Sequence, residues 1–158
     1  MSRYAANTDV SSERSRGEIE RTLTRYGATA FMYGWQDTKA VIGFKAHGRM
    51  LRFVLPMPDR NDPEFVFRPY EGKPGTTRRP VAKAQEAWEQ AGRQRWRALA
   101  LAIKAKLEAV EAGITEFESE FMAQIVLPNG QTMAEHSLPL IERAYESGQM
   151  PALLPHLS

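Results

Sequence analysis

Apolar residues in this chain keep a period of two from Phe31 to Leu55 and recur at three-and-four spacing from Trp88 to Ile114. That single change of period is incompatible with an all-helical or an all-strand fold. In the first segment Phe31, Tyr33 and Trp35 alternate with small or polar neighbours, Ile42 and Phe44 repeat the pattern, and Leu51, Phe53 and Leu55 form a third run. Three strands are predicted. Asp37-Thr38-Lys39 and His47-Gly48 are short enough to join them as adjacent antiparallel hairpins, and Pro56 ends the third strand. The expected product is a meander with one aromatic-aliphatic face.

In the second segment Trp88, Trp96, Leu99, Ile103, Leu107, Val110 and Ile114 mark one stripe of a long helix that begins near Ala82 and ends at Gly113. Ala98, Leu101, Ala105 and Ala109 make a second small-apolar flank, so the helix is expected to be covered on more than one side and packed across the sheet. Upstream, Ser15-Arg16-Gly17-Glu18 reads as a capping box before Ile19, Leu23 and Tyr26, with Gly27 at the C-terminal cap of a short helix. Downstream, Thr115-Glu116-Phe117-Glu118 reads as another box, and Pro128-Asn129-Gly130 as the turn of a small hairpin. A last helix is expected from Leu138 to Ser147, with Leu138, Ile141 and Tyr145 on one face, followed by an apolar tail from Met150 to Leu157 docked on the core.

The fold class is therefore α+β: a short N-terminal helix, a three-stranded antiparallel meander, a long central helix on the sheet, and a C-terminal hairpin and helix. At 158 residues the chain suits one domain, expected over 13–158 after a disordered arm at 1–12. Residues 56–81 hold Pro58, Pro63, Pro69, Pro74, Gly72 and Gly75, and are expected to be a proline-rich basic loop in which Phe65-Val66-Phe67 adds at most a short strand.

Composition narrows the chemistry. With 42% hydrophobic and 25% charged residues, neither wholesale disorder nor a coiled-coil rod fits. Zero cysteines exclude disulfides, thiolate metal sites and a cysteine nucleophile. No apolar run reaches the roughly 20 residues needed to span a bilayer, and the start is polar, so a cytoplasmic protein without membrane attachment is expected. There is no P-loop, GxGxxG, GxSxG, HExxH or EF-hand pattern, and no cofactor, metal site or catalytic residue is implied. His47, His136 and His156 lack the spacing of a metal site on one element. Glu108, Glu111, Glu116, Glu118 and Glu120 form an acidic run that helix capping and a solvated flank explain, with a magnesium cluster as the alternative.

Basic residues carry the stronger signal. The net charge is only +2, yet Arg93, Arg97 and Lys104 share one face of the long helix, Arg78 and Arg79 lie in the basic loop, and Arg21 and Arg25 form a row on the first helix. Guanidinium forks suit phosphate, and Trp35, with Tyr33 and Tyr70, is placed to stack on unpaired bases. Trp88 and Trp96 fall in the apolar stripe and read as core.

The segments Glu18–Ala28, Gly48–Phe53, Arg93–Leu99, Ile103–Val110 and Leu127–Thr132 resemble a family of small bacteriophage and prophage proteins. The resemblance implies a phage setting, hence a bacterial host cell, and brings no catalytic residues. The architecture, a meander followed by a long basic helix, is also similar to the core of phage single-strand annealing proteins. The leading expectation is a non-enzymatic nucleic-acid-binding protein, an annealing or recombination accessory on single-stranded DNA. The second is an interaction module that captures a host protein or self-associates into a homo-oligomer through the sheet edge, the Phe65 loop or the apolar tail. A metal-dependent nuclease is third.

Overall fold

Ser11, and not Ser15, caps the first helix: its hydroxyl accepts from the Arg14 amide at 3.1 Å, and α1 runs Ser12–Arg25. The structure, a computed structural model, describes residues 8–152. Of the arm expected over 1–12, Ser12 opens α1 and the Thr8 carbonyl accepts from the Gln90 side chain at 2.9 Å, and residues 1–7 lie outside the described residues. Ser15 sits one turn inside the helix and is buried, because its side chain faces the same way as Ile19 and Leu23. Gly27, at φ +90°, ends α1 as expected: the Ala28 amide donates to the Leu23 carbonyl and the Gly27 amide to that of Thr24.

The meander forms in order as β1 (Thr29–Gln36), β2 (Lys39–Ala46) and β3 (Arg49–Pro56), antiparallel, with β2 central. Both residues of the His47-Gly48 turn have positive φ, the backbone of a primed hairpin whose twist matches the strands. Ile42 lies opposite Tyr33 and Phe53, Ala40 opposite Trp35 and Leu55, and Phe44 opposite Leu51. These residues therefore share one face, and Ile42, Phe44 and Leu51 are fully buried on it. Tyr33 and Trp35 belong to the same face but stand on the edge strand, where cover thins out.

That face is closed by α1 and by α3 (Val81–Glu111), which brings Trp96, Ala100, Ile103 and Leu107 into one cluster with Ile19, Leu23 and the sheet. Gly113 ends the helix with positive φ, as its position predicts. Two expectations for α3 fail: Ile114, past the end of the helix, is 81% exposed, and on the flank Ala105 is exposed while Ala98, Leu101 and Ala109 are half-buried. Beyond it, Thr115 does not cap. Glu116 holds the N-cap position of α4 (Phe117–Glu120) without a side-chain bond. The element is anchored instead by its rings, Phe117 stacking on Phe121 at 4.7 Å and Phe121 meeting Phe53 edge-on at 6.1 Å.

Residues 56–81 are not a loop. α2 (Pro63–Val66) buries Phe65, and β4 (Phe67–Tyr70) pairs with β5 (Lys73–Arg78) around Glu71-Gly72, another turn with both φ positive. Pro69 and Pro74 lie opposite each other, which a two-stranded ribbon tolerates because each strand has an unpaired side.

After a short 3-10 turn (Met122–Gln124), Ile125 bridges to Leu51 on β3, and the expected C-terminal hairpin closes with Val126 opposite Thr132. Thr132 and Glu135 then form a true capping box, so α5 starts earlier than expected, at Met133, and runs to Ser147. The apolar face expected on this helix forms but is open to solvent. Leu138 is 62% and Tyr145 88% exposed, Ile141 is exposed too, and Met150 is exposed rather than docked. Residues 153–157 of the expected tail lie outside the described residues.

Candidate functional site

All three tryptophans of the chain line one cleft of about 610 Å³. Trp88, Gly92 and Trp96 succeed one another at every fourth position of α3, so they lie along one helical face, and the missing side chain at Gly92 opens the gap between two indoles. Met57 closes that gap from the segment after β3: a Cβ on Gly92 would stand 3.7 Å from the Met57 methyl. The same segment is tied to the helix by Trp88, whose indole N–H donates to the Pro58 carbonyl at 2.8 Å. Trp35, near the end of β1, lines the same cleft.

The three rings are not equivalent. The Arg60 guanidinium covers Trp88 at 4.6 Å from its centroid, and Arg16 covers Trp96 at 5.3 Å. Trp96 is buried and Trp88 half-buried. Trp35 is 67% exposed, and among the described residues no cation or ring lies on it. It offers an open aromatic face beside two guanidinium groups.

Arg93 links this cleft to a second, shallower concavity of about 720 Å³. The second concavity gathers Arg68 from β4, Arg79 from the end of the hairpin and Lys83 from the first turn of α3. Glu86 pairs with Lys83 at 3.3 Å and offsets part of that charge. Because the N-terminus of α3 carries its own positive dipole end, the concavity as a whole attracts anions. Arg93 itself donates to the Gln90 side chain through Nε and a terminal nitrogen, which holds its guanidinium at the junction.

The other expected basic residues do not join this surface. Arg97 donates to the Glu18 carboxylate and clasps α3 to α1, with only 23% of its side chain exposed. Lys104 is exposed on the face of Arg93 but about 16 Å further along the helix. Arg21 and Arg25 lie beside Glu20 on the outer face of α1. Arg78 covers the Phe67 ring at 5.5 Å. Of the eight residues named from sequence, Trp35, Arg93 and Arg79 therefore line the two neighbouring cavities. Arg60 and Arg68, basic residues of the expected loop, join them, as does Trp88, which was expected in the core; Arg16 and Lys83 are site residues that the sequence did not point to.

Two further stacking candidates are placed differently. Tyr33 donates its hydroxyl to Glu20 at 2.9 Å, and burial together with that carboxylate pushes its pKa up to about 12. Tyr70 is exposed at the tip of the β4–β5 hairpin. The acidic run disperses: Glu111 accepts from Tyr26, whose pKa it raises, Glu118 pairs with Arg49, and Glu120 pairs with Lys106. Among the described residues no three His, Asp or Glu side chains converge as metal ligands. His47 packs on Phe117 at 4.3 Å, and His136 faces Gln131. No helix of the described residues is long and apolar enough to cross a membrane.

Comparison with protein-family models, with curated proteins and with solved structures gives no match.

Proposed function

We propose that this protein binds single-stranded nucleic acid, with one base stacked on Trp35 in the tryptophan cleft and the adjoining phosphates on the basic concavity. The observation that carries this reading is the position of Arg93, which lines both cavities and so joins an aromatic surface to a cationic one. A duplex cannot present an unstacked base to Trp35, so single strands are preferred. The role that follows is an accessory in annealing or recombination, in the phage setting that the sequence resemblance implies.

Fluorescence anisotropy of labelled oligonucleotides tests the proposal. Three or four neutralised phosphates give a slope of log affinity against log salt of about −2 to −3, and single strands bind more tightly than duplex. Absence of binding at low salt, or binding indifferent to salt, refutes it.

A second reading, a protein-interaction module, is favoured by one observation: Leu138, Ile141 and Tyr145 stand exposed on α5. An apolar helical face of that kind suits self-association or capture of a host protein. Light scattering of the wild type and of Leu138→Glu with Ile141→Glu separates the two states. A monomer in both cases removes the homo-oligomer.

A further inference from the structure

We propose that the tryptophan cleft selects guanine, an inference that rests on the single-strand reading above. The cleft carries charge of both signs. Arg60 and Arg93 line it, and so do the carboxylates of Asp59 and Glu89. With Arg16 and Glu13 counted, the cleft holds as many carboxylates as guanidinium groups, whereas the neighbouring concavity sets Arg68, Arg79, Lys83 and Arg93 against Glu86 alone, so phosphate favours the concavity and the base is directed inward.

A base that enters meets the Arg60 guanidinium, whose face covers Trp88 and whose edge can donate, and the carboxylates of Asp59 and Glu89, each of which accepts one hydrogen bond, from the Asn61 amide and the Gln85 side chain, and has lone pairs left for a donor. Guanine satisfies both. Its O6 and N7 are adjacent acceptors that fit an arginine fork, and its N1–H and amino group are adjacent donors that fit a single carboxylate. Adenine and cytosine each set an amino donor beside a ring nitrogen acceptor, so only one carboxylate oxygen is served. Thymine flanks its one N–H with two carbonyl oxygens, which a carboxylate repels. Stacking on Trp35 is common to all four and supplies affinity without choice.

The experiment uses the full chain and thymine oligonucleotides that carry one variable central nucleotide, read by anisotropy at fixed salt. Guanine at that position is expected to bind about 5-fold to about 150-fold more tightly than thymine, the range of one bidentate pair. Inosine, which lacks the amino group, and 7-deazaguanine, which lacks N7, each lose part of the gain. Asp59→Asn combined with Glu89→Gln removes the difference between guanine and inosine. Equal affinity for the four bases, or inosine binding as tightly as guanine, overturns the selection of guanine while the single-strand reading stands. Failure of every oligonucleotide to bind overturns both.

Discussion

Arg97 of α3 donates to the carboxylate of Glu18 on α1, joining two helices that are far apart in the chain at the seam above the sheet. Both side chains are less than one-third exposed, so the pair is better shielded than a surface ion pair. Arg97→Ala leaves the Glu18 charge half-buried without its partner and is expected to lower unfolding free energy by about 1–2 kcal/mol. Urea unfolding of Arg97→Ala, Glu18→Ala and the double variant checks this. The double variant should cost less than the two single costs added together.

Gly92 occupies the middle of a 31-residue helix at a position that a methyl group fits, its nearest neighbour being the Met57 methyl at 3.7 Å. Gly92→Ala is expected to stabilise the fold by about 0.5–1 kcal/mol through helix propensity. A larger side chain at the same position, such as Leu, fills the gap between Trp88 and Trp96 and weakens oligonucleotide binding. Thermal unfolding and anisotropy measured on the same two variants separate the effects.

Gly75 has no such room. A Cβ there would lie 2.6 Å from the Arg68 carbonyl oxygen, across the β4–β5 ribbon. Gly75→Ala must spread the hairpin that carries Arg68 and Arg79, at a cost of about 1–3 kcal/mol. Salt-dependent binding should weaken with it, whereas quenching of Trp35 by a bound base should persist at low salt.

The Tyr33 hydroxyl has a folded pKa of about 12, raised by burial and by its bond to Glu20. A raised pKa favours the protonated form in the folded state. The contribution is therefore whole below the ordinary tyrosine value of about 10 and is lost as pH rises through about 12. Tyrosinate absorbance and urea unfolding across that window should show stability falling with pH, and Tyr33→Phe should make the fall shallower. An identical pH profile for the two proteins would show that the bond is absent.

The elements of the core were legible because period and turn chemistry agreed. Alternation gave the three strands, His47-Gly48 gave a turn, and Gly27 and Gly113 gave two helix ends. The β4–β5 hairpin was hidden by its prolines, although Glu71-Gly72 carried the positive-φ signature of a primed turn. At α1 the spacing from Ser15 to Glu18 mimicked a capping box, but Ser15 shares the buried face of Ile19 and Leu23, and the cap falls one turn earlier at Ser11. For α5 the periodicity was real but its meaning was not: a helical stripe marks a face that seeks cover, without saying whether this chain supplies it.

The site was legible in part. Trp35, Arg79 and Arg93 were visible as types and positions, but their convergence depends on the hairpin and on the segment at Met57 to Arg60, neither of which has a helical or strand period to read. Trp96 is buried in the core as its place in the stripe predicts, whereas Trp88, read the same way, is half-buried at the cleft. The overlooked signal was Gly92 between them, a small residue at the same phase that leaves the two rings a cavity to line.

The most direct test compares the affinity of the wild type and of Trp35→Ala for one labelled single strand at low salt, with urea unfolding as the control. Trp35 is mostly exposed, so its removal should alter stability by less than about 0.5 kcal/mol. Loss of one stacked base should weaken binding by about 1–3 kcal/mol, or about 5-fold to about 150-fold. Unchanged affinity in a folded Trp35→Ala protein would contradict base stacking in the cleft.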